Sequence, residues 1–133
     1  METQKNLESW QASPVGTEDA QKLEAKDVKI VSQQKVTIES KKKVGTTYEK
    51  IVFSCKHPDR EELLEISDAK YIQADQVVNR ATWYMLDSKG GVQKNSALAA
   101  LMVMYSAKTL GELVGKTVKT AVDEKGYLCL KAY

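Results

Sequence analysis

The sequence predicts a small, mainly β domain: a barrel of short strands with one principal helix, in the order β-β-β-α-β-β. Three observations predict it. Apolar residues alternate with polar ones through residues 27–40 and 47–56, the period of a half-buried strand. One strongly apolar segment, residues 95–107 (NSALAALMVMYSA), has helical spacing and follows about three strand-like runs. A short hairpin pattern closes the chain around Asp123-Glu124-Lys125-Gly126. An open α+β sheet with the same element order is the alternative architecture.

The length of 133 residues suits one domain with a real core, and 42% hydrophobic with 29% charged residues is ordinary for a globular chain. The formal charge of +2 is unevenly spread. Residues 1–26 carry three lysines against five acids, and the rest carries 17 basic groups against 13 acids. Residues 1–26, with few apolar side chains and interrupted by Pro14 and Gly16, read as a flexible arm that Trp10 pins to the domain. The barrel domain is residues 27–133. Its mildly basic balance permits a polyanionic partner without requiring one. The polar start is no signal peptide, and no apolar run reaches the ~20 residues of a membrane span, so a soluble cytoplasmic protein is expected.

In residues 27–40, Val28, Ile30, Val36 and Ile38 fall on alternate positions, interrupted by Ser32 and Gln34. This predicts one long strand, bent in its middle, with those four side chains on its inner face. Residues 40–47 (SKKKVGTT) form a basic turn. In residues 47–56, Ile51, Phe53 and Cys55 share the inner face, while Tyr48, Lys50, Ser54 and Lys56 lie outside, with Val52 the apolar exception there. His57-Pro58-Asp59 ends that strand as a surface turn. Residues 61–71 are ambiguous between a strand and a helical turn. Residues 76–87 read as a strand with Val77, Ala81, Trp83 and Met85 inward, and Arg80, Thr82 and Tyr84 outward.

Asn95 or Ser96 can cap the helix, and Leu98, Leu101, Met102 and Tyr105 share one face of it. Ala99, Ala100, Val103 and Met104 leave it little polar surface, so it is expected to be largely covered. A short second turn runs from Thr109 to a stop at Gly115. Strands over 117–122 and 127–132 complete the domain.

No catalytic signature stands out. Residues 111–117 (GELVGKT) resemble a phosphate loop, but only three residues separate the glycines where four are needed to wrap a phosphate, and the flanking elements are reversed. Two cysteines and a single histidine are too few for a structural zinc site, so no metal or other cofactor is expected. Cys55 and Cys129 read as buried free thiols. The acid pairs Glu61-Glu62 and Asp123-Glu124 read as solvated turn charges with no apolar pocket to raise a pKa. A non-enzyme without a small-molecule substrate follows.

One constellation remains: Lys41, Lys42, Lys43, Tyr48, Lys50 and Lys56, with Arg80 and Tyr84 on a strand that could lie beside them. Cations that follow phosphates and exposed aromatics on which bases stack are what single-strand binding needs. The element order over residues 27–133 resembles the OB-fold single-stranded nucleic-acid-binding proteins, in which one strand face and the first interstrand loop hold the strand. The resemblance implies sequence-tolerant, cofactor-free binding of single-stranded DNA or RNA, with those eight residues as contacts. The competing expectation is a protein-interaction module, for instance a homo-oligomer, assembling through the apolar helix or an edge strand such as 127–132.

Overall fold

The computed structural model describes residues 23–133. Its strands are β1 (Val28–Glu39), β2 (Thr47–Lys56), β3 (Leu64–Ile66), β4 (Asp68–Gln73), β5 (Gln76–Ala81), β6 (Thr117–Val118), β7 (Thr120–Val122) and β8 (Leu128–Ala132). The helix α1 is Ala97–Met104, and a 3-10 turn covers Leu110–Leu113. Trp10 and most of the expected arm lie outside the described residues.

Pairing curls these strands into a small OB-like barrel. β1 pairs with β2, and β2 with β3. A single residue, Ser67, separates β3 from β4, and β4 pairs in parallel with β8. β8 pairs with β7, and one residue further on β6 returns to β1. The ambiguous 61–71 stretch is therefore the third barrel strand, bent at Ser67. β5 is additional: it folds back on β4 through Ala74 and Asp75, whose φ values of 52° and 64° suit a tight two-residue hairpin.

Fully buried Val28, Ile30, Phe53, Leu98, Leu101, Leu113, Val118 and Leu130 fill the barrel. Removing such surfaces from water is the main stabilising term. Ser96 begins α1 by accepting the Ala99 N–H at 3.1 Å, and Leu98 and Leu101 point into the core. The opposite side of the helix is more open than its composition suggests, since Val103 is 82% exposed. Tyr105 beyond it donates its hydroxyl to the Lys131 carbonyl and accepts the Lys119 N–H, tying the helix end to β8 and to the β6–β7 bend.

Four local expectations are corrected. The β1–β2 register shifts between Ile30 and Ser32, so a bulge adds one residue to β1. Val28 and Ile30 face the core, but beyond the bulge Gln33 lies opposite Phe53 and Lys35 opposite Ile51. Val36 and Ile38 consequently share the outer face with their partners Lys50 and Tyr48. Val77 of β5 is exposed, and in the segment after β5 Thr82 is buried and Tyr84 packs on the core while Met85 is exposed, the reverse of the expected phase. The cause is Thr82, whose polar side chain is satisfied inside by donating to the Ile51 carbonyl at 2.5 Å.

β8, expected as an edge, is hydrogen-bonded on both sides. His57, expected on the surface, is fully buried. Its Nδ1 accepts the Asp59 N–H at 3.0 Å, which leaves Nε2 to donate to the Glu24 carbonyl at 2.8 Å. The Lys26–Asp59 ion pair at 2.8 Å and the Thr120 hydroxyl on the Lys26 carbonyl fasten the same segment.

Candidate nucleic-acid interface

The site forms where the β1–β2 hairpin runs on past the barrel. At its tip the exposed Lys41, Lys42 and Lys43 follow Ser40, whose hydroxyl accepts the Lys42 and Lys43 N–H groups at 3.3 Å each. Gly45, at φ 87° and with open space around it, completes the turn. Three ammonium groups are thus held on a tight loop.

On the outer face below the tip, Tyr48 is 49% exposed and meets Trp83 edge-on, ring centroids 6.0 Å apart. Trp83 arrives there because the chain after β5 crosses to β2. The Ile51 N–H donates to the Thr82 carbonyl and the Tyr84 N–H to the Glu49 carbonyl, which sets Trp83 opposite Lys50. Val36 and Ile38 extend this face across β1. Tyr84 takes the inner side, covered by Lys35, whose Nζ lies 5.3 Å from the ring centroid and 3.1 Å from Glu49. A cleft of about 580 Å³ follows this seam, lined by Thr37, Thr47, Tyr48, Glu49, Trp83, Tyr84 and Met85.

The eight sequence-derived residues therefore divide. Lys41, Lys42, Lys43, Tyr48, Lys50 and Tyr84 gather at the hairpin, Lys50 and Tyr84 only half exposed. Lys56 lies at the opposite end of β2, its ammonium donating to the carbonyls of His57 and Arg60. Arg80 lines a separate cleft with Lys50, Glu65, Asp68 and Asp123. Burial pushes the Asp68 carboxyl up from its ordinary value. Trp83 is the residue that sequence reasoning missed as a contact. Its signal was the neighbouring threonine: with Thr82 inside, Trp83 must point out.

Cys55 and Cys129 are free and buried. Desolvation pushes their pKa values to about 12 and about 11, so neither is a ready thiolate nucleophile. Among the described residues no group of three or more His, Cys, Asp or Glu side chains could hold a metal, and no helix is long and apolar enough to cross a membrane. Compared with family models, curated proteins and solved structures, the chain matches none.

Proposed function

We propose that this protein is a non-enzymatic binder of single-stranded nucleic acid. The observation that carries the reading is the outer face of the β1–β2 hairpin, where the exposed Tyr48 and the half-exposed Trp83 stand beside Lys50, below the tri-lysine tip. Bases can stack on the two rings, worth about 1–3 kcal/mol each, while the ammonium groups track the phosphates. Stacking on ring faces needs no hydrogen-bond code, which suits sequence-tolerant binding. Duplex hides those faces and is expected to bind more weakly.

Fluorescence anisotropy of a labelled ~30-nucleotide strand at two salt concentrations tests the reading. Four usable cations (Lys41, Lys42, Lys43, Lys50) give an expected slope of about −3 in log affinity against log salt. Equal affinity for duplex, or no binding at tens of micromolar protein, would sink it.

A further inference from the structure

The distal half of β1 is an unpaired sheet edge. β6 pairs only with Val28 and Lys29, and the Ile30 N–H and C=O complete that contact through Lys116 and Gly115. Among the described residues nothing pairs with the other side of β1 from Val31 to Glu39. The alternation fixes which groups are open. On β2, Glu49 and Ile51 bond toward the 82–84 segment, so Tyr48, Lys50 and Val52 bond toward β1, through Ile38, Val36 and Gln34. The N–H and C=O groups of Lys35, Thr37 and Glu39 consequently point away, a ready template for another strand.

We infer that this edge joins a second copy of the chain, antiparallel, with Thr37 opposite Thr37 across a two-fold axis. A perpendicular two-fold keeps each sheet face on its own side, which allows only pairings whose residue numbers sum to an even value. Charge selects among these. Centring on Thr37 sets Lys35 opposite Glu39 of the second copy, twice by symmetry, and Val36 opposite Ile38, also twice. Centring on Lys35 opposes two lysines, and centring on Ile38 sets Lys35 against Lys41. In the favoured register Gln33, whose Oε1 has no hydrogen-bond partner among the described residues, faces Lys41 of the second copy. Lys35 then lies between its own Glu49 and the other copy's Glu39. The result is a continuous sheet, β2-β1-β1-β2, carrying two copies of the Tyr48–Trp83 face side by side.

Sedimentation equilibrium of the full chain between about 1 and 200 μM tests this independently of any nucleic acid. The wild type is expected to dimerise reversibly. Lys35→Glu or Glu39→Lys alone opposes like charges twice and is expected to weaken the dimer at least about tenfold, whereas the double variant recovers most of that loss. Thr37→Pro removes the axial N–H without touching a bond to β2 and is expected to give a monomer. Circular dichroism checks that it still folds; were it misfolded, the charge pair decides alone. A wild-type chain that stays monomeric throughout, single-charge variants that dimerise like wild type, or a double variant no better than either single would each overturn the inference.

Discussion

The barrel and the hairpin that leaves it share two strands yet obey different rules. Inside the barrel, β1 and β2 present Val28, Ile30, Ile51, Phe53 and Cys55 to the core. One bulge later, the same even-numbered alternation of β1 places Val36 and Ile38 outside, beside Tyr48 and Lys50. The apolar positions keep one parity in the sequence and change sides in space. In the barrel an apolar residue serves stability, while on the hairpin it forms a surface that only a ligand or partner can cover.

The sharpest break of that comparison is a pair of truncations. Phe53→Ala removes a fully buried ring from the core and is expected to cost about 3–5 kcal/mol by urea unfolding, with no partner able to restore it. Trp83→Ala, on the hairpin face, is expected to leave stability within about 1–2 kcal/mol. It should lower single-strand affinity by about 1–3 kcal/mol, read by anisotropy. Val77→Ser serves as the control, because sequence reasoning placed Val77 on the same face as Trp83 and the structure exposes it elsewhere. Loss of binding in Val77→Ser, or its retention in Trp83→Ala, would move the interface away from the hairpin.

Charge sharpens the contrast with a smaller effect. Replacing Lys41, Lys42 and Lys43 by alanine is expected to flatten the salt slope by about 2, at ~0.7 for each phosphate of a single strand that is no longer neutralised. Lys56→Ala should leave the slope unchanged, since that ammonium already serves two backbone carbonyls at the far end of β2. Identical slopes for the two variants would mean that cations act through the field of the whole protein rather than through the hairpin tip.

Much of this was legible in the chain. Residues 47–56 alternate with Val52 as the one exception, and β2 has those bounds with the expected inner face. The helix was legible from its spacing and its Ser96 cap. Misreadings occur where one residue changes the phase. The bulge after Ile30 reverses β1, and residue alternation carries no mark of an inserted position. Thr82 reverses the segment carrying Trp83, because a buried hydroxyl looks polar until its carbonyl partner, 31 residues earlier in the chain, is known. His57 follows the same logic: its two partners, Glu24 and Asp59, come from opposite sides in sequence. The element order that suggests the barrel survives these slips because it depends on counting elements and not on their phase.

The smallest expected effect again separates two regions, this time through two aspartates with opposite pH signatures. Asp59, exposed and hydrogen-bonded to Lys26 where the chain enters the barrel, has its carboxyl held below the ordinary value by that pair. Its contribution is present above the unfolded-state value of about 3.9 and is lost as pH falls through the folded one. Exposure keeps it small. Asp68, on the β4 side, is shifted upward by burial, opposed in part by the Asn79 amide hydrogen bond. The unfolded chain then ionises first, so stability is lost as pH rises from the unfolded value through the folded one. Asp68→Asn is therefore expected to raise the melting temperature slightly at pH 7, a gain that disappears below about pH 3.9. Asp59→Asn should lower it slightly at pH 7 and converge with wild type in acid. Melting curves from pH 2.5 to 7 distinguish them. Parallel shifts of the same sign would mean that the Asn79 hydrogen bond, and not burial, governs Asp68.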